Sequence, residues 1–163
     1  MVFCPKDTPH PKMAQAVFFG ARLIRVDGHY SQINAMYRKL IGSGRVKWYD
    51  CGTDNPFRYE GKKTYAYEIA QDLGWRVPDR VLHPCAGGMS LVKTWKGFNE
   101  LRTLGWIDRL PKMTAVQAAR CAPIVESWKK GLPRVEPVEK QPTIASAVAA
   151  PDPGLLGDQT LAA

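Results

Sequence analysis

Cysteine and histidine are scarce in this chain. Four cysteines stand far apart, at positions 4, 51, 85 and 121, and there are three histidines. There is no C-x-x-C pair to begin a zinc site and no dense spacing to suggest a disulfide framework. A reduced, cytoplasmic setting without structural metal is therefore expected. Long apolar runs are also missing: nothing approaches the roughly 20 residues a helix needs to cross a bilayer, so no membrane partner is expected. The first residues, Met1 to Lys6, lack the charged-then-apolar layout of a signal peptide. The net charge is +8, which by itself favours nucleic acid. Yet the positive residues are scattered, with no arginine-rich arm or recognition motif, so no nucleic-acid partner is expected. No internal repeat is present.

What is there suits an ordinary folded chain. Its 163 residues, 45% hydrophobic and 23% charged, are enough for a real core. Val2-Phe3-Cys4 reads as a short strand that starts almost at residue 1. Pro11 opens a helix carrying Met13, Ala16 and Val17. Ala21 to Val26 reads as a strand closed by Asp27-Gly28. Ile33, Met36, Tyr37 and Leu40 fall at i, i+3, i+4 and i+7, the spacing of an amphipathic helix. Val46 to Tyr49 is expected to be a strand, and Asp50 to Arg58 a polar loop. Ala66, Ile69, Ala70 and Leu73 form a second helical stripe. Arg80 to His83 is a strand; Leu91, Trp95 and Phe98 mark the apolar face of the next helix. Met113 to Val116 is a strand and Ala122 to Lys129 a short helix. Strands alternating with helices predict an α/β fold with an open, mostly parallel sheet and flanking helices.

Within that alternation, Cys85-Ala86-Gly87-Gly88-Met89-Ser90 joins a strand to a helix. Backbone N–H groups at such a turn are unpaired, and the helix dipole adds positive character, so an anion such as a phosphate is a natural guest. Two glycines let the backbone approach closely. Taken alone, the same residues describe a tight turn.

The stretch Asn55-Pro56-Phe57-Arg58-Tyr59-Glu60-Gly61-Lys62-Lys63-Thr64 strongly resembles a segment of threonine synthase, which reads Asn-Pro-[Phe/Tyr]-Arg-x-Glu-Gly-x-Lys-Thr at a helix start. The likeness continues in order through Gly74-Trp75, Val77-Pro78-Asp79, Trp95 to Leu101, Arg109-Leu110-Pro111, Val116-Gln117-Ala118, Cys121 to Val125, Thr143-Ile144-Ala145 and Gly157-Asp158. It is weaker from Phe3 to Val26. The resemblance implies a fold-type II pyridoxal-phosphate enzyme, related to the tryptophan synthase β subunit, that converts O-phospho-L-homoserine and water to L-threonine and phosphate. It implies residues 1–50 as the remaining part of a small domain. Residues 51–163 would begin the large cofactor-binding domain, with 131–163 a Pro-rich, loosely structured end. Another fold-type II enzyme, a β-replacement synthase or a deaminase, is the nearest alternative; a non-catalytic phosphate-binding module is the more distant one.

The same resemblance assigns roles. Ala86, Gly87, Gly88, Met89 and Ser90 would cradle the phosphate of pyridoxal 5′-phosphate. Arg58, a planar and permanently charged fork, would bind the substrate's phosphate. Thr53 either joins it or is an ordinary loop residue, and Asn55 either meets ligand or shapes the turn before Pro56. Glu60 is expected to cap a helix, His83 to be a buried, hydrogen-bonded strand residue, Cys85 a small packed thiol, and Trp95 and Phe98 core. The family's loop is usually richer in glycine. Its Schiff-base lysine lies in an upstream Ser-x-Lys segment, and nothing in this chain matches that segment. No catalytic residue is therefore assigned, and the chain reads as an internal fragment, inactive by itself, with an amino-acid phosphate as its small-molecule partner. A homodimer of the full-length enzyme is left open.

Overall fold

The computed structural model describes residues 1–28, 30–52, 55–139 and 141–163, apart from the side chain at position 31. The chain forms two compact units, Met1–Tyr49 and Asp50–Ala163.

The first unit is a strand–helix–strand built on β1 (Val2–Pro5), α1 (His10–Phe18) and β2 (Leu23–Val26), followed by α2 (Tyr30–Gly42). The two strands pair in parallel, Val2 opposite Leu23 and Pro5 opposite Val26. Met13 and Ile33 supply its buried apolar side chains. The expected strand at Val46–Tyr49 is not formed: those residues lie outside regular secondary structure. Its apolar character is used differently, with the Trp48 ring packed 5.7 Å from that of Phe3.

The second unit carries α3 (Pro56–Gly61), α4 (Thr64–Asp72), β3 (Arg80–Pro84), α5 (Met89–Thr103), β4 (Lys112–Val116), α6 (Pro123–Lys129) and α7 (Gly154–Ala162). β3 and β4 pair in parallel from Arg80–Lys112 to Pro84–Val116, so β3, α5 and β4 form a strand–helix–strand crossover. The core is the seam between α4, α5 and the strands: Ala66, Ala70, Val77, Phe98, Leu101 and Ile107. The helices meet closely because the residues at the crossing are small. A Cβ at Gly97 would lie 2.4 Å from the Lys63 carbonyl oxygen and 2.8 Å from Ala66 Cβ.

Parts of the helical reading shift. Phe98 is fully buried, but Trp95 is 40% exposed; the buried face of α5 runs through Leu91, Thr94, Phe98 and Leu101. The expected loop at 50–58 gives way to α3 at Pro56, where proline supplies a ready-set φ in the first turn. The Pro-rich end is not uniformly irregular: α7 is a nine-residue helix packed by Thr160 and Leu156 against Gly88 and Gly87.

Candidate functional site

β3 ends at Pro84 and α5 starts at Met89, so residues 85–88 turn at the carboxyl end of a parallel strand, where such folds place their ligands. Cys85 still belongs to the sheet, its N–H donating to the Val116 carbonyl at 2.8 Å. The chain then leaves the ladder. Gly88 takes φ +82°, a left-handed conformation that glycine adopts freely. Its carbonyl accepts from Leu91 N–H and Val92 N–H, at 2.9 and 3.2 Å, and starts the helix. The N–H groups of Ala86, Gly87, Gly88, Met89 and Ser90 meet no acceptor among the described residues. These orphan donors sit at the positive end of a 15-residue helix.

Around the loop, tertiary contacts fix its shape. Gln117, just after β4, donates from Nε2 to the Ala86 carbonyl at 3.2 Å, while its Oε1 accepts from Ile124 N–H and Val125 N–H in the first turn of α6. Thr160 Oγ1 of α7 lies 3.1 Å from the Gly87 carbonyl and 2.9 Å from the Leu156 carbonyl of its own helix, so its one proton is shared between them. Both contacts hold carbonyls and leave the N–H groups untouched. The room left by the missing Cβ of Gly88 is filled by Thr160, whose Oγ1 would lie 2.0 Å from it. The glycine is thus required by helix packing, and the anion-binding character rests on the donors. Five unpaired N–H groups, a hydroxyl at Ser90 and no carboxylate among the described loop residues suit a phosphate. Cys85 is buried, its thiol pushed up to about 11 by burial; it donates to the His83 carbonyl and fits the packed, unreactive role.

The motif at residues 55–64 reaches this loop through α3. Asn55 is buried and caps α3, its Oδ1 accepting from Phe57 N–H at 2.9 Å and Arg58 N–H at 3.2 Å and its Nδ2 donating to the Asp50 carbonyl. That cap holds Arg58 on the exposed surface of α3. Thr53 lies outside the described residues. Lys62, at the C-cap of α3, donates from Nζ to Ser90 Oγ at 2.8 Å. Burial, and then the Arg58 charge, hold its ammonium below the usual lysine range. Lys62 and Ser90 are thus brought together, and the charge of Arg58 acts on Lys62. Lys62 and Gln117 carry no separate role in the sequence reading. By pattern Lys62 is one of several lysines in helical stretches, and only the folded chain shows which lysine reaches the loop.

Two expectations change here. Glu60 does not cap a helix. Its carboxylate takes Lys93 Nζ at 2.8 Å and Lys96 Nζ at 2.6 Å, with Lys63 at 3.6 Å. Hydrogen bonds from Lys93 and Lys96 hold its carboxyl down to about 2. Glu100 adds a second acceptor for Lys63 and for the Tyr67 hydroxyl. His83 is half-buried rather than enclosed, with its ring edge-on to Tyr65 at 6.3 Å. A cleft of about 630 Å³ lined by Trp75, Val77, Trp106 and Arg109 lies past the C-terminus of α5. It is one helix length, roughly 20 Å, from the loop.

The Glu60 hub predicts a pH signature. A carboxyl lowered in the folded state stabilises above its unfolded value near 4.5, and that gain disappears as pH falls toward 2. Glu60→Gln is expected to lower the unfolding midpoint at pH 7, with the difference from wild type shrinking below pH 4.5 and vanishing near pH 2. Thermal unfolding across that range checks it.

Comparison with known proteins gives one consistent picture. A family described as pyridoxal-phosphate dependent enzyme matches residues 1–161. A threonine synthase from Methanocaldococcus jannaschii is 41% identical over 142 residues, covering 87% of this chain and 35% of the relative. One from Methanosarcina acetivorans is 37% identical over 142 residues, with the same coverage of 87% and 35%. This chain therefore spans about a third of the length of the curated relatives it matches. Among solved structures, a threonine deaminase from T.th. superposes with a TM-score of 0.71 at 21% identity, over 98% of this chain and 49% of that one, a likeness of fold.

Proposed function

Because this chain belongs to the pyridoxal-phosphate dependent enzyme family, we propose that it is part of a threonine synthase-like enzyme that converts O-phospho-L-homoserine and water to L-threonine and phosphate. The observation that carries this reading is the loop at 86–90: unpaired N–H groups at the start of α5, framed by a motif whose Lys62 reaches Ser90.

When bound, pyridoxal phosphate supplies an electron sink for bonds breaking in an amino-acid substrate. The chain's own residues bind and position. The N–H groups of Ala86, Gly87, Gly88, Met89 and Ser90 would grip the cofactor's phosphate, with the field of α5 favouring its charge. Gln117 keeps the Ala86 carbonyl in a hydrogen bond of its own, and the Thr160 hydroxyl, shared with Leu156, lies against the Gly87 carbonyl, so those oxygens are turned to protein partners. Arg58 would take the substrate's phosphate as a fork, with Thr53 in the same role, and Asn55 would place Arg58 by capping α3. Residues 1–50 serve as part of the small domain and 51–163 as the start of the cofactor-binding domain. Among the described residues no helix is long and apolar enough to cross a membrane.

Product analysis tests the reading. The full-length protein, supplied with O-phospho-L-homoserine, is expected to release L-threonine and phosphate in equal amounts. The fold is shared with a threonine deaminase, so L-threonine is the control substrate. Ammonia and 2-oxobutanoate from L-threonine, with no phosphate released from O-phospho-L-homoserine, would replace the synthase reading by a deaminase one.

A further inference from the structure

Four lysines of the α3–α5 region divide into two kinds. Lys63, Lys93 and Lys96 each lie against Glu60, and Lys63 and Lys96 also against Glu100, at 2.6–3.6 Å. They are neutralised and stitch helices together. Lys62 has no carboxylate partner among the described residues. Its Nζ donates instead to the hydroxyl of Ser90, the second residue of α5, at 2.8 Å. Two positive elements meet there, the Lys62 ammonium and the N-terminal end of α5, and the Arg58 charge also acts on Lys62. A cation beside a helix N-terminus is unfavourable, and a second cation makes it more so. The arrangement is relieved by an anion. The direction of the hydrogen bond adds to this. Ser90 Oγ accepts from Lys62, so its own O–H is free to donate onward.

We propose that Lys62 is a positioning residue for the cofactor's phosphate: it orients the Ser90 hydroxyl toward the phosphate at the 86–90 loop and supplies positive charge behind it. This rests on the cofactor reading given above. It goes beyond the segment that carries the family likeness, because position 62 is the unspecified one in Glu-Gly-x-Lys-Thr.

The test compares two probes in the full-length protein, stripped of cofactor: pyridoxal 5′-phosphate and pyridoxal, which lacks the phosphate. Binding is followed by fluorescence titration. Lys62→Gln is expected to weaken pyridoxal 5′-phosphate about tenfold, the scale of one hydrogen bond with a charged partner, and to leave pyridoxal unchanged. Ser90→Ala should do the same, and the double variant should lose little more than either single one, because the two act as a chain. Lys62→Arg should restore part of the affinity. Inorganic phosphate should compete with pyridoxal 5′-phosphate less well in Lys62→Gln than in wild type. Equal weakening of both probes, as from a purely structural contact, overturns the proposal. So does unchanged affinity for both, and so does a loss confined to O-phospho-L-homoserine. If the wild-type protein binds pyridoxal no more weakly than pyridoxal 5′-phosphate, it is the loop reading that fails.

Discussion

Gly88→Ala in the full-length protein is expected to lower stability sharply and to remove most cofactor binding with it. Two costs act together. At φ +82° an L-residue is strained, by about 1–2 kcal/mol. The new Cβ also lies 2.0, 2.4 and 2.6 Å from Thr160 Oγ1, Cγ2 and Cβ. Relief requires α7 or the loop to move, and overpacking of this kind costs about 1–3 kcal/mol. Either movement disturbs the Thr160 bond to the Gly87 carbonyl and turns the N–H groups away from one another. Chemical denaturation should show the loss of stability, and cofactor retained after dialysis should fall in parallel. Adding Thr160→Gly removes the colliding atoms but not the strained φ. The double variant should therefore recover part of both losses. Wild-type stability in Gly88→Ala would mean that the loop is not held as described.

Arg58→Ala is expected to raise the KM for O-phospho-L-homoserine by about 10–100-fold, the range of losing one or two charge-assisted hydrogen bonds. Affinity for pyridoxal 5′-phosphate should change far less, since Arg58 sits on exposed α3 while the loop donors are backbone groups. Fold stability should barely change, because the Asn55 cap uses the Arg58 backbone N–H and not its side chain. Arg58→Lys keeps the charge and loses the fork, so an intermediate KM is expected. Equal losses for substrate and cofactor would remove the assigned role.

Much of this was legible in the residues because local rules and tertiary packing agree. The stripe through Ala66 and Ala70 and the run Arg80–His83 became α4 and β3, and the small residues after Pro84 became a strand–helix turn. Disagreements arose where packing overrode pattern. Val46–Tyr49 has the composition of a strand, yet Trp48 is used in packing against Phe3. Trp95 has the right spacing for the core, but the close approach of α4 and α5 at Gly97 gives that place to Thr94 and Phe98. The helix at 154–162 begins on a glycine and has another at 157, and helix propensity alone argues against it; contacts with the loop hold it in place. Lys62 shows the limit most clearly. Its neighbour Lys63 has the same chemistry one position on, and only the fold sends one to a carboxylate and the other to Ser90.

The account turns on whether the backbone at 86–90 holds the cofactor's phosphate, and backbone amide NMR of the full-length protein tests this most directly. With selective ¹⁵N labelling, adding pyridoxal 5′-phosphate is expected to shift the amide resonances of Gly87, Gly88, Met89 and Ser90 downfield, while pyridoxal leaves them nearly in place. Shifts of equal size with both ligands, or none at these residues while the cofactor is demonstrably bound, would contradict it.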